Sequence, residues 1–411
     1  MEKSSASQFE QQPTKRLPVA AILGSSLFLI GLSAASIAPY RAIVAIDNLG
    51  MSNSIYALII TMTSIGTAVA SLIMGHFSDR IPDRRRLVLA SALLGSLAYG
   101  LLYLYPAQLT YIIAFTIILP FGGALFSQTF SYSRAYYDQH QPDRSEFMMS
   151  VLRTLFTVAW IVVPPIAGWI ASTYTVFDLF AAAALAHLSF VLIFGLLFTD
   201  STTKIGLGVE TSADEASTGW HIPRSRLLDI AGVTLVRVSL ALHLTTLPLA
   251  MINDYGGTLR EVGINASIAA GLEVPFMLLW GLAVTRFSKE AILTANALIY
   301  SLYLLLLFYA QSVWHVYWLQ GLNAIATAAL LSITISYMQE AIKGRVGLST
   351  SLIDVITVLS TFTAAATFAW LSSEDSYVVV FLAASGLSLA GGTIIALSRH
   401  LSGLQLQQDD R

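Results

Sequence analysis

The stretch GHFSDRIPDRRRL, Gly75 to Leu87, sets four arginines and two aspartates between two segments that carry almost no charge. Ions this dense, flanked on both sides by apolar runs, are the mark of a short loop joining two membrane-crossing helices. The rest of the composition agrees. Of 411 residues, 55% are apolar and 11% charged, against about 25% charged in an average soluble chain. Water is therefore not the main solvent of this chain, which reads as an integral membrane protein. A net charge of −2 builds no basic field for nucleic acid, and a cysteine count of zero excludes disulfides, thiolate metal sites and a cysteine nucleophile.

The hydrocarbon core of a bilayer is about 30 Å thick and takes roughly 20 apolar residues per helical span. Twelve such runs are expected, over 17–45, 53–78, 86–105, 109–135, 147–171, 175–199, 226–252, 260–285, 290–311, 314–339, 346–372 and 376–399. None alternates like a barrel strand, and lipid admits only helices or closed barrels, so the expected fold is an all-α membrane bundle. Lys15 and Arg16 precede the first run and SAASIA resembles a cleavage site, but the run exceeds a signal peptide's apolar core and is expected to stay as a span.

Lys and Arg concentrate in short cytoplasmic loops. Arg80, Arg84, Arg85, Arg86, Arg134, Arg144, Lys204, Arg224, Arg226, Arg286, Lys289, Lys343 and Arg345 fall on the N-terminal side of the predicted membrane, whereas the other side has Arg41 and Arg260. Both termini are therefore expected in the cytoplasm. The longest internal polar segment, 200–225, divides the chain into six-span halves at 17–199 and 226–399, with short tails at 1–16 and 400–411. A duplication is visible across that divide. GHFSDR and GLAVTR recur 206 residues apart, and SQTFSY (Ser127–Tyr132) and SITISY (Ser332–Tyr337) recur 205 apart.

Gly75, Asp79, Arg80 and the arginines after Pro82 resemble the loop motif G-x-x-x-D-R-x-G-R-R of the major facilitator superfamily, with Pro82 and Asp83 departing from it. Leu152–Gly168, Ala270–Gly281 and Leu319–Ile325 are similar to the bacterial sugar efflux transporters of that superfamily. The resemblance implies two pseudo-symmetric six-helix bundles and a multi-pass transporter of the bacterial inner membrane. It further implies a sugar or sugar-like substrate, proton antiport and a monomer with no cofactor. A multidrug or siderophore exporter and a non-transporting sensor are the alternatives.

The resemblance assigns Gly75, Asp79, Arg80, Arg84 and Arg134 to a gate that holds the cytoplasmic side shut. Physically, Gly75 would let a neighbouring helix come close, and Arg84 to Arg86 would face water or lipid phosphates. Fixing topology is the competing reading of the arginines.

Charges within spans are retained mainly when paired or hydrated. Arg237 and Glu273 lie about 16–18 Å from their span starts, near the midplane, and are possible partners; Arg153 and Asp354 lie roughly 11–14 Å in, in repeat-equivalent spans. A carboxylate in low dielectric favours its neutral form, so Glu273 and Asp354 are the candidates for coupling to protons, a static ion pair being the alternative. The resemblance places the substrate cavity between spans one, four, seven and ten, which contain Tyr40, Arg41, Gln128, Tyr132, Arg237, His243, Gln320, Asn323 and Tyr337. Their amides and hydroxyls suit sugar hydroxyls, while Arg41 with Arg237 suits an anion. Trp160 and Trp280 are expected to pack between helices. The sequence has no G-x-S-x-G elbow, P-loop or H-E-x-x-H pair, so no enzyme is expected.

Overall fold

The computed structural model describes residues 17–78, 80–206, 224–341, 346–373 and 376–409, without the side chains at 78, 224–226, 335, 339–341, 346–352, 354 and 401–409. In the N-terminal half the helices are α1 (Val19–Asn48), α2 (Asn53–Ser78), α3 (Arg84–Leu104), α4 (Gln108–His140), α5 (Ser145–Thr173) and α6 (Asp178–Gly195). The C-terminal half has α7 (Arg224–Asn253), α8 (Leu259–Ala283), α9 (Lys289–Phe308), α10 (Val313–Ala341), α11 (Val346–Leu371) and α12 (Val378–Asp409). Eleven are long and apolar enough to cross a membrane, and the apolar stretch Val355–Leu371 belongs to the twelfth, α11. Most boundaries fall within a turn and a half of the hydropathy limits. The last helix instead runs on to Asp409.

Local chemistry explains where several helices begin. The Asp83 carboxylate caps α3 by accepting from the Arg85 backbone N–H at 3.1 Å. Thr258 and Glu261 form a reciprocal capping box at the start of α8. Gly50 and Gly256, with φ of 67° and 66°, turn the chain after α1 and α7 in a backbone region open to glycine. They stand at the same offset as Gly75 and Gly281, a further trace of the duplication.

The helix pairings repeat as well. In the first half α1 packs on α5 and α6, and α3 on α6; in the second, α7 packs on α11 and α12, and α9 on α12. The halves join through α5 against α8 and α2 against α11, a pairing that maps onto itself when the halves are exchanged.

Every described hydrogen bond and ring contact between the halves lies toward one membrane face, the one opposite Arg80, Arg84–Arg86, Arg134 and Arg144. The Tyr40 hydroxyl donates to the Leu259 carbonyl at 3.1 Å, Asn253 Nδ2 donates to Asp47 at 3.4 Å, and Tyr56 meets Phe368 edge-on with ring centroids 6.4 Å apart. Deeper in, the Ser267 hydroxyl donates to the Ile161 carbonyl. Glycine makes the α5–α8 seam possible. A Cβ on Gly263 would stand 2.2 Å from the Pro164 carbonyl oxygen, and one on Gly168 would stand 2.9 Å from Arg260 Cα. We call this side the opposite face and the arginine-rich side the basic face.

Around Gly75, among the described residues, an added Cβ would meet no atom within 4 Å. One expectation for the basic face is corrected. Arg85 does not face water or lipid: it is 4% exposed. Its Nη2 and Nε bond Asp83 at 2.8 and 2.9 Å, and its Nη1 donates to Leu197 O, Asp200 O and Thr203 Oγ1 at 2.6, 3.1 and 2.8 Å. The Arg84 N–H adds a bond to Ile205 O at 3.2 Å. Thus the chain leaving α6 is strapped beneath the N-terminal half. Asp83, where the resembled motif has a basic residue, is the counter-ion of that strap. Burial alone would raise its pKa, but the hydrogen bonds and charge of Arg85 outweigh burial and hold its carboxyl below the usual carboxylate range.

Candidate functional site

A cavity of about 440 Å³ lies where the halves meet, beneath the closed opposite face. Its wall is drawn from α1, α2, α5, α7, α8 and α10. Of the sequence candidates, Arg41, His243, Glu273, Gln320 and Asn323 line it. Tyr56, Asn265 and Thr327 line it too and were missed, although Gln320, Asn323 and Thr327 recur at i, i+3 and i+7, one face of a helix.

Arg41 reaches the cavity because α1 does not end where its polar residues begin. Pro39 opens a short 3-10 turn at Ala38–Tyr40, after which the chain resumes as helix and a π-turn at Val44–Asn48. Arg41 is therefore inside the span, as the 17–45 run places it, near the face to which the charge count assigns it. Its guanidinium carbon sits 4.8 Å from the centre of the Phe115 ring, and the Tyr111 hydroxyl donates to its backbone carbonyl at 2.9 Å. Its Nε is buried without a hydrogen-bond partner, and among the described residues no carboxylate pairs with it.

The C-terminal wall is a connected polar row. His243 Nε2 lies 2.8 Å from the Tyr303 hydroxyl, which also receives Gln320 Nε2 at 3.3 Å. Asn323 Nδ2 donates to Gln320 Oε1 at 2.7 Å. Thr327 Oγ1 is 2.5 Å from Glu273 Oε1 and 2.8 Å from the Asn323 carbonyl. The Oδ1 atoms of Asn265 and Asn323 are buried without partners, leaving acceptors for a bound hydroxyl.

Other candidates lie elsewhere. Arg237 and Glu273 are not partners: Arg237 Nη2 donates to Thr357 Oγ1 at 3.0 Å, and Glu273 accepts from Thr327. Tyr40 is 1% exposed in the seam between the halves, where its hydroxyl is used. No α4 residue reaches this cavity. Gln128 is half-buried outside it, and Tyr132 is fully buried near the basic face with its hydroxyl on Thr203 O at 2.6 Å. Tyr337, at the equivalent place in α10, is likewise buried outside the cavity. Arg134 pairs within its own half, with Glu146 at 2.5 Å and Asp138 at 3.3 Å. Arg80 is exposed, Arg84 half-buried and Arg153 exposed. Trp160 lines the cavity, while Trp280 donates to Ile325 O at 2.8 Å and packs α8 on α10. Asp79, Lys343 and Arg345, and the side chains of Arg224, Arg226 and Asp354, lie outside the described residues.

Comparison with known proteins gives a consistent picture. The sequence profile of the Major Facilitator Superfamily matches residues 23–227 and 230–406. Sugar efflux transporter A of Dickeya chrysanthemi is 27% identical over 327 residues, 79% of this chain and 81% of the relative. Sugar efflux transporter A of Escherichia coli K12 is 27% identical over 327 residues, 79% of this chain and 82% of the relative. Among solved structures, the POT family transporter PepTSo superposes with a TM-score of 0.78 at 10% identity, over 95% of this chain and 99% of that one. The nucleoside transporter NupG gives 0.74 at 11% identity, over 93% and 99%. At these identities the solved structures speak for the fold.

Proposed function

Because the chain belongs to the major facilitator superfamily, a family of membrane transporters, we propose that it exports a small hydroxylated solute, a sugar or sugar-like molecule, by alternating access of one central site in exchange for protons. The observation that carries this reading is the cavity between the halves, sealed toward one face and lined by unpaired amide oxygens. The relatives are named for sugar efflux, and the asymmetry of Lys and Arg supports a cytoplasmic basic face with both termini on that side. The closed opposite face then makes this the conformation in which the site takes up cytoplasmic solute, in a bacterial inner membrane, with a monomer as the working unit.

Exchange of halves requires the seam of Tyr40, Asp47, Gly168 and Gly263 to open while the basic ends close. Gly75, Asp79 and Arg80 are assigned the closing contact of that second state, for which the open space around Gly75 leaves room. Glu273 is assigned the coupling proton, with Asp354 a second candidate. The hydrogen bonding of Thr327 supports that role. Its hydroxyl has one hydrogen and two acceptor neighbours, Glu273 and the Asn323 carbonyl. With Glu273 protonated, the acid donates to Thr327 and Thr327 donates to Asn323, so every group is satisfied. Loss of the proton turns the Thr327 hydrogen toward the carboxylate and frees the carbonyl beside Asn323, which links the charge on Glu273 to the solute-binding wall.

The purified chain in vesicles, with an imposed pH gradient and a panel of labelled sugars, tests the proposal. Uphill sugar movement driven by protons is expected, and Glu273→Gln should leave only gradient-independent counterflow. Unchanged uphill export by that variant removes the coupling role. Absence of movement for every sugar removes the sugar reading.

A further inference from the structure

Arg41 is a cation that nothing in the described protein neutralises. It lines the cavity, its Nε is buried without a partner, its guanidinium lies over the Phe115 ring, and its other close side chains are the neutral phenols of Tyr56, Tyr99 and Tyr111. Aromatic faces attract a guanidinium, but they do not replace an anion for a charge held in low dielectric. The nearby carboxylates are otherwise engaged. Asp47, on the same span, accepts from Asn253 across the seam, and Glu273, on the far wall, accepts from Thr327.

We infer that, if the chain exports sugars as proposed above, its substrate is a sugar bearing one carboxylate, held at that group by Arg41 and at its hydroxyls by Asn265 and Asn323. The division of labour follows from the walls. The cation is on α1 of the N-terminal half, and the free acceptor oxygens are on α8 and α10 of the C-terminal half. A solute with an anionic end and a hydroxylated body touches both halves at once, as a molecule must if its binding is to couple their movement. A carboxylate fits better than a phosphate. It matches the planar fork of one guanidinium, whereas a dianion would bring excess negative charge into a cavity that also contains Glu273.

The test uses the full chain in detergent at neutral pH and constant ionic strength. Binding is read from the tryptophan fluorescence to which Trp160 in the cavity wall contributes. D-glucuronate, its neutral isostere D-glucuronamide and D-glucose are titrated against the native chain, Arg41→Gln and Arg41→Lys. A charge-assisted bond to a desolvated arginine corresponds to roughly 10- to 100-fold tighter binding of glucuronate than of glucuronamide. That preference should fall to about one in Arg41→Gln and survive in part in Arg41→Lys. Equal binding of the acid and the amide by the native chain overturns the inference and leaves sugar export standing. A preference that persists in Arg41→Gln overturns the assignment to Arg41. Binding of none of the three probes overturns this inference together with the reading on which it rests. If Arg41→Gln does not fold, the native comparison and Arg41→Lys decide.

Discussion

Replacing Arg85 with alanine should unfold the N-terminal half at a markedly lower temperature, although four arginines in a loop would ordinarily be interchangeable surface charges. Arg85 is 4% exposed and Asp83 is 6% exposed. Removing the guanidinium strands the Asp83 carboxylate in a dry site and takes a donor from Leu197 O, Asp200 O and Thr203 Oγ1. Breaking a buried ion pair by deleting one partner costs about 3–5 kcal/mol. Leu197 O keeps the Thr203 hydroxyl at 2.6 Å and Asp200 O keeps the Thr203 backbone N–H at 3.3 Å, so little is added for those carbonyls. For a unit of 150–250 residues, the size of this half, 1 kcal/mol moves the melting temperature by roughly 2–4 °C, giving a fall of roughly 6–20 °C.

Arg86→Ala, at an exposed position one residue on, should stay within about 0.5 kcal/mol of the native chain. Arg85→Lys should lie between, since an ammonium keeps the charge but not the fork. Thermal melts in detergent, followed by tryptophan fluorescence, make the comparison. Equal melting of Arg85→Ala and Arg86→Ala would refute the strap. Acid adds an independent readout. Asp83 is held below its ordinary pKa, so its contribution is present above the unfolded carboxylate value and is lost as pH falls through the folded one. Arg85→Ala should therefore shrink its stability deficit against the native chain as pH drops below about 4.

Three further outcomes follow from the seam and the cavity. Gly263→Val places side-chain atoms against the Pro164 carbonyl, 2.2 Å from the added Cβ. Overpacking of this kind costs about 1–3 kcal/mol and should shift the population away from the closed opposite face, read as faster labelling, from that side, of a cysteine introduced at Ala269 in the cavity wall. Thr327→Ala removes the hydroxyl donor to Glu273 and should weaken solute binding on the order of tenfold and displace the pH profile of transport; an unmoved profile counts against the link between them. Tyr132→Phe should leave solute affinity unchanged while costing about 1 kcal/mol of stability, because its hydroxyl holds Thr203 and does not face the cavity.

The membrane fold was legible because lipid leaves few options: twelve apolar runs, a basic side and an internal echo lead to two six-helix bundles. The site was legible in part. Gln320 and Asn323 stand out as amides in an apolar helix, and Glu273 as a carboxylate near the midplane. Arg41 stands out as a charge in the first apolar run, but the 3-10 turn at Pro39 through which α1 continues to Asn48 left no signal. Arg85 was unreadable, since a buried arginine and a solvated one have the same spelling when flanked by other arginines. Tyr56 and Asn265 escaped notice because they come from α2 and α8, helices that the resemblance did not assign to the cavity.

The account stands on a seam that must open for solute to leave. The chain has no cysteine, so Asp47→Cys with Asn253→Cys gives an unambiguous pair at two side chains that now touch across the halves. Joining them with a short thiol cross-linker that is cleaved by a reductant should stop sugar movement in vesicles, and cleavage should restore it. Full transport by the cross-linked protein would contradict alternating access at this cavity.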